Sequence, residues 1–334
     1  MNNIKDRVTI YQVAKAAGVS LATVSRVINK QGSVTPETRK KVEDTIARLG
    51  YRPSGLAQAL ATNRTTYIGV IVPSANYVFL SNFLNGVTEV AKEKGLVLTL
   101  LTTGHSRDEA IMMIEKLISS HADGAIIFDD QLNPDDVEKI SSYNVPTVVV
   151  DRKVTGEKVG CVRFNYDDAL RALLKGYYEK GGDKETYFLH VHNAGRLLGR
   201  CESTYVSVLE ELGKQVNVIN SDDSYTRTYQ DFKKIFKTIK GGFFICYRDS
   251  IAAAVMNAAL DSGLNVPNDI EVLSIVGTKY AHVFRPTLST MSIDMQEVGR
   301  RAMFMLTDLL GDGLIDKISS FDAELVLGGS TLPR

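Results

Sequence analysis

Between Thr9 and Pro36 the chain carries three helix-start signals, too closely spaced for anything but short helices turned sharply on one another. Thr9-Ile10-Tyr11-Gln12 places a hydroxyl first and a glutamine three residues on, the pattern in which two side chains satisfy each other's backbone amides. Val13, Ala14 and Ala17 follow at helical spacing and predict a buried face. Gly18 allows the positive φ of a tight helix–helix turn, Val19 plugs that turn, and Ser20 caps the next helix. That helix, Leu21 to Asn29, should bury Val24, Val27 and Ile28 and present Ala22, Ser25, Arg26 and Asn29 on its other side. Thr35 caps a third helix with Pro36 at its favoured first position, running to about Leu49. Three short helices with a polar-basic second face predict a DNA-binding helix-turn-helix; a plain three-helix bundle is the other reading of the same pattern.

Charge sharpens this. The whole chain balances 39 basic against 39 acidic side chains, but residues 1–66 hold eleven basic and four acidic, a net +7. The remainder therefore carries −7. A small basic head on an acidic body is the footprint of a nucleic-acid-binding module joined to a second domain, or else a solvated charged surface. At 334 residues, 44% hydrophobic and 23% charged, the chain is long enough for two or three domains with sizeable cores. The longest apolar runs are strand-sized and no signal-peptide pattern opens the chain, so a cytoplasmic, nucleoid-associated protein is expected, without a membrane. Cys161, Cys201 and Cys246 are odd in number and lack metal-ligand spacing, which predicts reduced thiols.

The stretch Val8 to Ser20, then Ala22-Thr23-Val24-Ser25-Arg26-Val27-Ile28-Asn29, then Thr38 to Val42 and Leu49-Gly50-Tyr51-Arg52-Pro53, resembles the LacI/GalR family of bacterial transcription regulators. The resemblance implies that Leu21, Ala22 and Arg26 enter the major groove, where Arg26 reaches a guanine edge. It implies that Tyr11, Ser20, Thr23, Ser25 and Asn29 hold phosphates, and it adds Tyr51 and Ala57 to the DNA contacts. Pro53 to Ala61 reads as a short helix, which the resemblance makes a hinge that folds on the operator and wedges Leu60 into the minor groove. A linker with a chance leucine is the plainer reading.

From Thr66 onward strand-like and helix-like stretches alternate, predicting two doubly wound parallel-sheet lobes, which the resemblance makes periplasmic-binding-protein-like. Val145–Val150 closes the first run of strands and Cys161–Phe164 opens the second. The helix-like stretches of the second half are Asp167–Lys180, Cys201–Leu212, Tyr229–Ile239 and Ser250–Ser262, and Leu327-Gly328-Gly329-Ser330-Thr331 resembles the family's terminal strand. An echo links Ala122–Phe128 with Gly241–Cys246. The expected domains are 1–50 (helix-turn-helix), 51–66 (hinge) and 67–334 (effector binding and dimerisation). Within the last, one lobe takes about 67–163 and 292–320, the other 164–291 and 321–334.

Ligands of such folds sit beyond the carboxyl ends of the strands. By the resemblance, Phe79 stacks on a ligand, Ser74 stands where an aspartate is common, and Asp249 accepts from a ligand hydroxyl or serves as a helix cap. Arg200 lies one residue from the family's usual arginine, and Tyr280 follows Gly277-Thr278-Lys279 where relatives carry acidic residues. Asp129-Asp130 and the pair His190 and His192 lie at strand ends and line the cleft, or else cap turns; metal ligation by the histidines has no evident partner. Arg152, Lys279 and Arg248 point to an anionic effector such as a sugar phosphate. No phosphate-cradling, dinucleotide-binding or nucleophile-elbow motif is present, so no enzyme, cofactor or metal is expected.

The expectation is thus a homodimeric repressor of a carbohydrate-utilisation operon, reading near-palindromic double-stranded operator DNA and switched by a sugar or sugar phosphate. The head also resembles the family's catabolite control proteins, which implies as the main alternative a switch by a phosphorylated phosphocarrier protein on the helix carrying Asn82, Asn85 and Lys92. A ligand-binding protein of periplasmic type that does not bind DNA is the alternative of another class. Leu60→Ala tests the hinge: operator affinity should fall well beyond affinity for random DNA in a fluorescence titration, and an equal fall in both would refute the wedge.

Overall fold

A computed structural model describes residues 8–29, 32–52, 65–74, 78–104, 106–129, 131–154, 156–192, 194–311 and 316–333. The chain divides into two compact units, Met1–Thr66 and Tyr67–Arg334. In the first, α1 (Ile10–Ala17), α2 (Leu21–Ile28) and α3 (Pro36–Leu49) enclose Val13, Ala17, Val24, Val27 and Val42. The capping box forms: the Thr9 amide donates to Gln12 Oε1 at 2.8 Å and the Gln12 amide to Thr9 Oγ1 at 3.4 Å. Gly18 takes φ +63°, the left-handed conformation that sends α2 across α1. Ile28 is half-buried, because α2 ends beside it.

The second unit holds two six-stranded sheets. The first comprises β1 (Tyr67–Val72), β2 (Val97–Thr102), β3 (Gly124–Ile127), β4 (Thr147–Val150), β5 (Val159–Asn165) and β11 (Ile318–Asp322), in the order β11-β5-β4-β3-β1-β2. The second comprises β6 (Thr186–Val191), β7 (Val218–Ser221), β8 (Gly242–Arg248), β9 (Ile270–Val276), β10 (Ser289–Ser292) and β12 (Glu324–Val326), in the order β12-β10-β9-β8-β6-β7. All pairings are parallel except β12 against β10. Helices on the faces cover the central strands, which explains continuous apolar runs such as Gly124–Ile127 and Thr147–Val150, buried at every residue. These helices are α4 (Val78–Glu93), α5 (Arg107–Ser119), α6 (Pro134–Ser142), α7 (Asp167–Glu179), α8 (Arg196–Glu211), α9 (Tyr225–Ile235), α10 (Asp249–Leu260) and α11 (Met295–Leu310). β3 and β8 occupy the same position in their two sheets, and the sequence echo falls on them. None of the described helices is long and apolar enough to cross a membrane. The three cysteines are free and buried, and burial pushes the Cys201 thiol up to about 12.

The structure corrects four expectations. Cys161–Phe164 does not open the second run: it belongs to β5, which pairs with β4 and closes the first sheet. Leu327–Thr331 is not a strand. Gly328 and Gly329 bring this segment against the backbone of Thr287 and Leu288, where a Cβ on Gly328 would lie 2.6 Å from the Thr287 carbonyl oxygen. Ser330 then pins it, its hydroxyl donating to the Val272 carbonyl at 2.6 Å. α8 begins at Arg196 rather than Cys201, because Gly199, a weak helix former in the first turn, hides the helix start. α9 begins at Tyr225 after the Ser224 cap, four residues before the predicted Tyr229.

After serving the second sheet the chain returns through α11 to pack against α4 and the first sheet. Two glycines permit the approach. A Cβ on Gly86 would lie 2.0 Å from the Gln296 carbonyl oxygen, and one on Gly299 would lie 2.1 Å from that of Phe83. Gly299→Ala is therefore expected to lower the melting temperature strongly, by overpacking of about 1–3 kcal/mol. Gly176→Ala on α7, which meets nothing within 4 Å, should be neutral or stabilising by up to about 1 kcal/mol. Equal melting curves for the two variants would contradict this packing.

A candidate DNA-reading face and an interlobe cleft

The first turn of α2 is fixed by Ser20, whose hydroxyl accepts from the Thr23 amide at 3.1 Å and pairs with the Thr23 hydroxyl at 2.8 Å. With Val24 and Val27 inside, the helix is obliged to show Leu21, Ala22, Arg26 and Asn29 to solvent. Asn29 reaches back to Ser25 at 3.3 Å, leaving that edge lined with short polar groups. Tyr11 on α1 is 70% exposed. These eight predicted residues, Ser20 and Thr23 included, lie on α1, α2 and the turn between them. Tyr51 differs: it is half-buried against the apolar core of the head. Ala57 and Leu60 lie outside the described residues, as do the other hinge positions from Pro53 to Arg64.

In the second unit the strands of both sheets end on one chamber. Pro73, Phe128, Asp129, Val150, Asp151 and Arg152 follow or end β1, β3 and β4, while Ala194, Tyr247, Val276 and Gly277 follow or end β6, β8 and β9. Phe79 and Leu80 of α4, Arg196 and Leu197 of α8, and Phe164, Tyr166, Ile293 and Met295 complete the wall. The cavity measures about 90 Å³, on a scale where one water takes about 10–15 Å³. Phe128 sits among Phe79, Phe83 and Phe164 with ring centroids 5.3–5.8 Å apart, so much of the wall is aromatic. The buried Asp129 carboxylate accepts from the Thr103 hydroxyl and from the Gln131 amide at 2.8 Å. Asp151 accepts from Arg200 at 2.9 Å, across the lobes.

Of the expected ligand residues, Phe79 and Arg152 line the chamber. Arg200 lines a groove beside it, together with Arg152. Ser74 follows Pro73 at the rim without lining the chamber, and Asp130 lies outside the described residues. Three others stand elsewhere. Asp249, only 4% exposed, turns inward at the first residue of α10, where its Oδ2 accepts from the Thr278 amide at 2.8 Å and hydroxyl at 2.6 Å. It ties the turn after β8 to the turn after β9. His192 is exposed, edge-on to His190 at 5.1 Å, and His190 pairs with Glu202 at 2.6 Å. Tyr280 is exposed on the short 3-10 helix Lys279–His282. Neither Lys279 nor Arg248 lines the chamber; Arg248 pairs with Asp223. The residues that sequence reasoning missed are Asp151, Tyr166, Arg196 and Tyr247. Their shared signal is position at the carboxyl end of a strand or one residue past it, or at the first turn of the following helix.

A helix-turn-helix head joined to two wound lobes that share one cleft defines a DNA-binding protein with a periplasmic-binding-protein-like body. The family model for bacterial regulatory proteins, lacI family, matches residues 9–54, and that for a periplasmic binding protein-like domain matches 186–331. The chain is 30% identical over 319 residues to catabolite control protein A of Priestia megaterium, covering 92% of this chain and 94% of that one. It is 29% identical over 314 residues to catabolite control protein A of Staphylococcus xylosus, covering 93% and 94%. A lac repressor dimer bound to operator and the anti-inducer ONPF superposes with TM-score 0.85 at 24% identity, covering 98% of this chain and 100% of that one. The transcription regulator CcpA of Lactococcus lactis superposes with TM-score 0.67 at 21% identity, covering 80% and 100%. The chain belongs to the lacI family of bacterial regulatory proteins, and it is a DNA-binding transcriptional regulator. That removes the reading as a bare ligand-binding protein.

Burial raises the Asp249 carboxyl above the usual aspartate range, against the opposing effect of the Thr278 hydrogen bonds. The folded state therefore holds its proton at pH values where the unfolded chain has lost it, so this group makes stability fall as pH rises through that window. Asp249→Asn should flatten that decline in denaturant titrations run upward from about pH 4, the ordinary aspartate range. Asp249→Ala, which strips the acceptor from two Thr278 donors, should cost about 1–3 kcal/mol.

Proposed function

We propose that the protein is a dimeric repressor that reads a near-palindromic operator and is switched by a small ligand between the lobes. Residues 1–50 are the reading head, 51–66 the hinge and 67–334 the effector and dimerisation domain. The observation that carries this is the solvent face of α2, where Leu21, Ala22, Arg26 and Asn29 stand exposed beside the Ser20 cap. Arg26 reads a guanine edge, Leu21 and Ala22 suit thymine methyls, and the hydroxyls of Ser20, Thr23 and Ser25 hold phosphates together with Tyr11 and Asn29. Two heads on half-sites about 34 Å apart account for the symmetry of the operator.

The names of the relatives favour control of carbohydrate genes, hence a cytoplasmic protein that works at the nucleoid. The chamber at the strand ends supports a ligand that biases lobe closure, and its effect on DNA affinity equals its preference for one closure state. A second reading makes a phosphorylated phosphocarrier protein the switch. It is favoured by the outer face of α4, where Asn82, Asn85 and Lys92 are exposed, and opposed by Glu89 on the same face, which pairs with Arg300 of α11 at 3.2 Å.

Binding of a fluorescent operator to the whole chain and to one lacking residues 1–66 tests the assignment. The whole chain should bind with a steep decline of log K against log salt, and the truncated chain should not bind. Arg26→Ala should cost about 1–3 kcal/mol on the operator and much less on random DNA. Equal operator binding by the truncated chain would sink the proposal.

A further inference from the structure

Beside the chamber, and sharing Asp151, Arg152 and Arg196 with it, runs an open groove that also holds Lys153, Arg163 and Arg200. Five cations face two carboxylates, Asp151 and Asp167, on a body whose net charge is −7. Among the described residues, no carboxylate forms an ion pair with Lys153, Arg163 or Arg196. Like charges crowded in this way repel, and an arriving anion relieves the repulsion. Arg196 and Arg200 lie in the first two turns of α8, a 16-residue helix whose N-terminus has no side-chain cap and no acidic residue in its first turn. Its free amides add to the same positive field.

The chamber offers the opposite chemistry. Its aromatic and aliphatic walls suit a ring face, while Asp129 is engaged by Thr103 and Gln131, and Asp151 by Arg200. A neutral polyol, which needs acceptors for several hydroxyls, finds these carboxylates already occupied. We infer that the interlobe ligand is an organic phosphate monoester, with its ring-bearing body in the chamber and its doubly charged group in the basic groove. This rests on the reading of an interlobe ligand given above. Lys153 and Arg163 come from the first lobe and Arg196 and Arg200 from the second, so the phosphate bridges the lobes. It also competes with Asp151 for Arg200, exchanging an internal cross-lobe ion pair for one through the ligand. Arginine forks match phosphate oxygens in pairs, which a lysine cannot do.

The test is calorimetric titration of the full chain with phenyl phosphate and a hexose 6-phosphate, each against its neutral counterpart, phenol or the free hexose, and with inorganic phosphate alone. The probes are repeated on Arg163→Gln/Arg196→Gln and on Phe79→Ala, after thermal melts have shown that both variants fold. At least one monoester should bind about tenfold or more tightly than its neutral counterpart, and lose about tenfold or more in the arginine variant. A neutral compound that binds as tightly, is weakened by Phe79→Ala and is untouched by the arginine changes would overturn the anion proposal and leave the interlobe ligand standing. Binding that neither variant alters would remove both. Inorganic phosphate acting alike on all three proteins would show an adventitious ion only, and silence from every monoester would overturn the proposal.

Discussion

Three short crossings hold the two lobes together, and the cleft exists only because of where they fall. The chain passes from the first sheet to the second after Asn165, returns after Ser292, and passes again at Ala323. Two of the crossings are bonded to each other. The Asn165 side-chain amide donates to Asp322 at 2.9 Å and to Asp168 at 2.7 Å, while the Asn165 backbone carbonyl accepts from the Ala323 amide at 3.0 Å. The residues flanking the first two crossings, Phe164, Tyr166, Ile293 and Met295, are also chamber wall. A molecule filling the chamber therefore lies against the pivots, so its contacts bear directly on the angle between the lobes.

Against those pivots stands the Asp151–Arg200 pair on the open side. Asp151 adopts φ +60°, a left-handed conformation that aspartate tolerates better than most side chains. That places its carboxylate at the end of β4 facing α8, where Arg200 also donates to the Phe164 carbonyl at 3.4 Å. The arginine side chain is a third exposed, so the pair is partly screened and its worth is modest. Its position matters more than its strength, because it joins lobes that otherwise meet chiefly through their crossings and the chamber wall.

The head was legible almost residue by residue, because caps, a left-handed glycine and a 3.6-residue apolar stripe are local signals. Thr9, Gly18, Ser20 and Thr35 each act within a few residues of where they stand. The body was legible as alternating strands and helices, since parallel strands buried on both faces read as unbroken apolar runs. What sequence could not carry was partnership across distance. Whether β5 belongs with β4 or with β6 depends on pairing, and nothing in Cys161–Phe164 itself records that. The surroundings of the cleft residues were hidden for a related reason. Asp249 follows a strand as a ligand carboxylate should, yet Thr278, twenty-nine residues on, supplies two donors that turn it inward. Arg196 went unnoticed because Gly199 obscured the first turn of its helix.

The division between an apolar chamber and a basic groove bears on how strongly a ligand could act as a switch. Carrying a two-state equilibrium from 1:99 to 99:1 takes about 5.5 kcal/mol of differential affinity, and affinity common to both states contributes nothing. Three of the aromatic wall residues, Phe79, Phe128 and Phe164, belong to one lobe, so a ring resting on them alone gains little from lobe closure. The groove differs, because Arg163 and Arg196 line it from opposite lobes, so an anion held by both is sensitive to their separation. Two charge-assisted hydrogen bonds that form only in the closed state supply about 3–6 kcal/mol. That is the size required, so under the proposed ligand reading the groove adds the larger closure-dependent share to whatever the contacts at the pivots supply.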